Sequence, residues 1–248
     1  MKTKKLMLAL VLALPLGGSI AAGSEGSGEG AKPKDIRDLS GTPYKAILEG
    51  AKAFEQNRSL APAIGALQFI VRPVRASVGP IPADAVQIRY QEQRWPVSLT
   101  PQGTFALPHP GKQFEQEDAV LEQPDEWYTV GLWIESPSLP ANVRRLGDLR
   151  LECEVGSAIS MVRYSFWQRT LVSMTTGGKD VCQNPNGGYN FFAQKPLKSI
   201  TLVNGTNRLA IPSTIHGQYG FSGVKFIVPL GDQSWPDETL VQFEFSEP

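Results

Sequence analysis

The chain has little of what most enzyme chemistry requires. Among its 248 residues there are two histidines, His109 and His216, and two cysteines, Cys153 and Cys182. It has no H-E-x-x-H and no i, i+4 histidine pair, which excludes the helical zinc-hydrolase motif. No G-x-S-x-G pentapeptide offers a serine on a sharp turn. Gly177-Gly178-Lys179 is followed by Asp180 rather than Ser or Thr and lacks the glycine frame of a phosphate loop. No cofactor and no metal site is therefore expected. An excess of positive charge is missing too, with 24 basic against 24 acidic residues, so no basic face is predicted for nucleic acid. The same balance argues against peripheral attachment to anionic lipid.

Long apolar runs are absent beyond the first residues. There, Lys2, Lys4 and Lys5 precede an uncharged stretch from Leu6 to Leu16, and Ser19-Ile20-Ala21 supplies small residues. That order predicts a secretory signal over residues 1–21. Its apolar core of eleven residues falls short of the roughly twenty needed to cross a bilayer. An exported product, periplasmic or secreted, with no stable membrane insertion after cleavage, is the expectation. Cleavage removes three lysines and no acids, leaving 21 basic and 24 acidic residues, about −3. In an oxidising compartment the only two cysteines are expected to form one Cys153–Cys182 disulfide. Closing a loop of that length is worth about 3–4 kcal/mol in the chain-entropy model.

Twenty prolines and 24 glycines suit many short strands joined by turns. Residues 22–41 read as a flexible leader, because Gly, Ser and Glu around GSEGSGEG bring little apolar surface. Thr42-Pro43 then predicts a helix start with Thr42 as its cap. Tyr44, Ile47, Leu48, Ala51 and Phe54 supply one apolar stripe. Alternation predicts strands near 66–71, 86–90, 95–99, 104–107, 119–122, 130–135 and 149–155. Ser157 to Met174 instead follows three- and four-residue steps, predicting one helix near 157–174, with a hairpin as its competitor. Strands resume at 199–203, 208–211, 224–228 and 240–245, and Asn204-Gly205 reads as a hairpin turn. The expected fold is mainly β, with β-sandwich-type lobes, an N-terminal amphipathic helix and one further helix. Pro137, Ser138 and Pro140 suggest a division into a lobe over 42–140 and a disulfide-closed lobe over 141–248.

Thr100, Gly103 and Phe105 form a T-x-x-G-x-F turn after a strand pair. Around it, Gln87–Leu107 resembles the small β-sandwiches of the transthyretin-like or carboxypeptidase-regulatory type. The run from Tyr44 to Glu154, including Leu60-Ala61-Pro62 and Arg145 to Cys153, also resembles a group of uncharacterised exported proteobacterial proteins. That second resemblance implies export and β-structure and brings no catalytic residue.

For function, Glu115, Glu117, Asp118, Asp125 and Glu126 cluster beside Trp127-Tyr128. Paired carboxylates can serve glycoside hydrolysis, and several together can hold calcium, but the D-x-D-x-D-G spacing is absent. Trp127, Tyr128 and Trp235 are the candidate ligand-binding residues, able to stack on sugars or clasp a peptide, or else to plug the sandwich ends. The expectation is a non-enzymatic envelope module binding a protein or polysaccharide partner. A periplasmic hydrolase or carbohydrate-active enzyme with dispersed residues is the alternative.

Overall fold

Residues that alternate between apolar and polar give strands with two unlike faces, and the described residues use them in four antiparallel sheets. The computed structural model describes residues 38–73, 79–107, 119–123, 128–175, 180–184, 188–193, 195–212, 217–219 and 223–246. Within them lie fourteen strands, three α-helices and one 3-10 turn, so the fold is mainly β. Residues 1–21, most of the leader, both histidines, the acids Glu115, Glu117, Asp118, Asp125 and Glu126, and Trp127 lie outside the described residues.

Two sheets and two helices enclose the first core. One sheet orders β1 (Thr42–Pro43), β6 (Val120–Glu122), β3 (Gln87–Tyr90) and β4 (Gln93–Pro96) side by side. The other pairs β2 (Gln68–Pro73) with β5 (Thr104–Phe105) and β7 (Tyr128–Trp133). Phe69 stacks on Phe105 at 5.4 Å, and Ile88, Leu121 and Val130 are fully buried beside them. The Thr100–Gly103 turn closes as its residues demand. Gly103 N–H donates to the Thr100 carbonyl at 2.9 Å, and Thr104 N–H donates to Thr100 Oγ1 at 3.1 Å. Gly103 sits at φ +76°, where a side chain would be strained.

Helix α1 spans Tyr44–Gln56 and buries Tyr44, Ala46, Ile47, Gly50, Ala53 and Phe54. Its start differs from expectation. Thr42 is not a cap: it pairs with Leu121 in β1, and its buried hydroxyl has no hydrogen-bond partner among the described residues. Pro43 is the N-cap, and the Ala119 carbonyl takes up the Tyr44 N–H at 2.7 Å. A strand edge thus satisfies the helix end that a side chain was expected to satisfy.

The second core lies between the sheet β11-β10-β14-β8 and the sheet β12-β13-β9. Here β8 is Val143–Arg145, β9 Phe191–Ala193, β10 Leu197–Asn204, β11 Asn207–Ile211, β12 Gly217–Tyr219, β13 Gly223–Phe226 and β14 Leu240–Phe245. Asn204 pairs with Asn207, so the hairpin turn is Gly205-Thr206, one residue later than expected. An aromatic row runs through this half. Tyr189, Phe191, Phe226, Phe243 and Phe245 follow one another at 4.9, 5.4, 5.2 and 6.3 Å.

The main correction falls between 146 and 175. The strand expected at 149–155 is helix: α2 spans Leu146–Arg163. The single helix expected near 157–174 is the end of α2 followed by a second helix, α3, over Phe166–Thr175. Leu149, Leu151, Cys153 and Val155 alternate with Arg150, Glu152 and Glu154, which imitates a strand. They occur in a helix that is buried on most sides, so its polar positions face partners rather than water. Leu151, Val155 and Ile159 belong to the first core, whereas Leu146, Leu149 and Cys153 belong to the second. At Gly50 of α1 a Cβ would lie 2.6 Å from Ile159 Cγ1, so any side chain there would have to displace Ile159 where the two helices meet. The Cys153–Cys182 disulfide forms, and it ties α2 itself, not a preceding strand, to the following segment.

A capping box explains the break before α3. Tyr164 is extended, at ψ 136°, and ends α2. Ser165 N–H then donates to Gln168 Oε1 at 2.8 Å, while Gln168 N–H donates to Ser165 Oγ at 3.4 Å.

Candidate functional site

Three charged residues enter α2 among apolar neighbours, and each is matched. Asp148, fully buried, accepts from Ser136 N–H and Ser136 Oγ, both at 2.7 Å. Arg150 donates to the carbonyls of Leu230 (2.9 Å), Asp232 (3.0 Å) and Trp235 (2.9 Å) and to Asp237 Oδ1 (2.5 Å). It thereby organises the whole loop over 230–237. Glu152 accepts from Arg144 Nη2 at 2.7 Å, and the same nitrogen donates to the Ile134 carbonyl at 2.6 Å.

Glu152 also opens onto a cavity of about 420 Å³. Helix α2 contributes Glu152, Gly156 and Ser160, spaced four residues apart on one stripe. At about 100° per residue this stripe falls between those serving the two cores. From the first half come Arg72, Leu132, Trp133, Ile134 and Glu135, with Arg144 beside them. From the second half come Tyr189, Phe192, Phe226, Phe243 and Phe245, with Lys195. The cavity thus lies at the junction of the two cores, where neither sheet pair closes it.

Its charges sit in an environment short of water. Burial lowers the Arg72 guanidinium from its ordinary value, against the pull of Glu152 and Glu135. Burial pushes the Glu135 carboxyl up, and Arg144 and Arg72 offset part of that. Burial would lower Arg144 as well, but Glu152 and Glu135 outweigh it and hold that group above its ordinary value. Arg72 lies over the Trp133 ring at 5.7 Å. The Nε atoms of Arg72 and Arg144 are both buried without a hydrogen-bond partner among the described residues. Leaving such donors unmet costs about 1–3 kcal/mol each, more for charged groups.

The residues singled out from sequence fall elsewhere. Tyr128 is buried, and its hydroxyl donates to the carbonyls of Gly79 (3.2 Å) and Pro80 (2.9 Å). Trp235 packs against the second core and holds Arg150 through its carbonyl. Neither lines the cavity. The cavity residues escaped sequence reasoning because they come from separate segments. Only the charged residues within the apolar run 146–155 hinted at them.

Among the described residues one further grouping has metal-ligand atoms in reach: Glu154, Asp180 and Cys182. Cys182 is disulfide-bonded, so it offers no thiolate, and two carboxylates fall short of a metal centre. No helix of the described residues is long and apolar enough to cross a membrane. Comparison of the chain with family models, curated proteins and solved structures finds no match.

Proposed function

We propose that this chain is an exported, non-enzymatic binding module, and that its ligand seat is the cavity between the two cores. The ligand class that fits is a molecule with an apolar or aromatic body and an anionic head. One observation carries this: Arg72 and Arg144 line a cavity whose apolar wall is Trp133, Phe192, Phe226, Phe243 and Phe245, with Lys195, Glu135 and Glu152 as its other charged groups. A cavity of about 420 Å³, apolar with a few convergent polar groups, is the form small-molecule sites take. The lining charges are Arg72, Arg144 and Lys195 against Glu135 and Glu152, one cation in excess. Export is supported by the lysine-led apolar start of the chain and by the disulfide. Each half is read as a sandwich-type lobe because two sheets supply side chains to each core.

Calorimetric titration of the mature chain with dodecanoate tests the seat. Saturable one-to-one binding is expected, weakened about tenfold or more in Arg72→Gln, since one charge-assisted hydrogen bond is worth about 1.5–3 kcal/mol. Dodecanol and dodecyltrimethylammonium are expected to bind more weakly than dodecanoate. No saturable binding, or equal binding by Arg72→Gln, contradicts the proposal.

Glycoside hydrolysis is a second reading, favoured by one specific observation. Glu135 and Glu152 line the same cavity, and burial raises Glu135 as a general acid requires. Release of reducing ends from peptidoglycan or polysaccharide, abolished in Glu135→Gln, would move the assignment to that class.

A further inference from the structure

Six large apolar side chains are exposed among the described residues: Met161, Phe166, Trp167, Leu171, Met174 and Leu209. Four of them belong to α3, where Phe166, Trp167, Leu171 and Met174 are between 62% and 77% exposed. Taking about 100° per residue, these four fall within an arc of about 140° on one side of the helix. No described side chain of α3 is buried, so this face is not turned into either core. We propose that α3 is a membrane-contact helix that rests its apolar face in the headgroup layer of a bilayer rich in anionic lipid.

Charge points to that occupant. From Val155 to Lys179 the chain carries no Asp or Glu, while Arg163, Arg169 and Lys179 supply three positive charges. The near-neutral total of the whole chain conceals this local surplus. Arg169, about 60° outside the apolar arc on the same helix, matches a phosphate headgroup, worth about 1 kcal/mol near an anionic surface. A second copy of the chain brings the same Arg169 and no acid from residues 155–179 to pair with it, so self-pairing lacks that complementarity. Phe166 and Trp167, edge to face at 5.5 Å, are residue types that favour the membrane–water boundary.

The helix is built to lie on a surface rather than to cross it. Its ten residues span about 15 Å, half of the hydrocarbon thickness. A helix this short is marginal in water by itself. The Ser165–Gln168 capping box secures its first turn without help from a core.

Sedimentation of the mature chain with vesicles tests the assignment. Vesicles containing phosphatidylglycerol are expected to bind at least tenfold more tightly than pure phosphatidylcholine, with the difference reduced by salt. The double variant Trp167→Ser/Leu171→Ser is expected to lose binding at least tenfold at unchanged Tm. Arg169→Gln is expected to lose about fivefold on anionic vesicles only. Absence of sedimentation with anionic vesicles, or equal sedimentation by the double variant, overturns the assignment. A concentration-dependent dimer abolished by the same double variant would overturn it too, giving the face to a second copy. Dodecanoate binding is read separately, so failure at the vesicle leaves the cavity proposal standing or falling by itself.

Discussion

Helices α2 and α3 follow each other with only Tyr164 and Ser165 between them, and they invert each other's chemistry. In α2, Asp148 and Arg150 are buried. In α3, Phe166, Trp167, Leu171 and Met174 face solvent. Composition alone would place them the other way round. The difference lies in partners. Each buried charge of α2 has them: Ser136 for Asp148, the 230–237 loop for Arg150. Among the described residues, no apolar side chain of α3 belongs to either core. Burial thus follows satisfied interactions, not residue type, and the element left unsatisfied is the one to examine for a partner.

The sharpest way to break the comparison is to remove an anchor of α2. Arg150→Ala strands the carbonyls of Leu230, Asp232 and Trp235 and leaves Asp237 without its cation. A loss of about 3–5 kcal/mol in urea unfolding is expected. A loss below about 1 kcal/mol would show that α2 is held by its apolar faces alone. Next in size is the disulfide. Cys153→Ala/Cys182→Ala removes a cross-link between positions 29 residues apart and should cost about 3–4 kcal/mol by the same measurement.

Helix packing comes third. Gly50→Val places methyl groups where Ile159 already lies and is expected to cost about 1–3 kcal/mol. Smaller still is the effect of Glu135. Its folded carboxyl titrates above the ordinary value because of burial, so the folded state holds this proton more tightly than the unfolded chain does. Stability from this group is present below the unfolded pKa and lost as pH rises through the folded one. Glu135→Gln should therefore flatten that fall and raise Tm modestly at neutral pH, with little change in acid. Smallest is the stability change on α3, where Trp167→Ser/Leu171→Ser should stay within about 0.5 kcal/mol of wild type.

Much of the β-structure was legible because period-two alternation survives where one face is buried. Strand β14 runs Leu240–Phe245 as its alternating Val241, Phe243 and Phe245 require, and β10, β11 and β3 lie within two residues of expectation. Helix α2 was not legible. Residues 149–155 alternate too, and a helix buried on most sides has no solvent face to mark its period. The start of α3 was legible in Ser165-Phe166-Trp167-Gln168, where the capping box is written out, but the continuous three- and four-residue rhythm hid the break at Tyr164. The cavity was beyond sequence. Arg72, Glu135, Glu152 and Phe245 come together only through sheet pairing and through a helix that serves two cores.

Amide hydrogen exchange read by mass spectrometry reaches the contrast between the helices most directly. Peptides covering 146–163 are expected to exchange only by near-global opening, and those covering 166–175 orders of magnitude faster. Anionic vesicles should then slow the second set and leave the first unchanged. Equal protection of both helices in vesicle-free protein, or fast exchange across 146–163, would contradict the account.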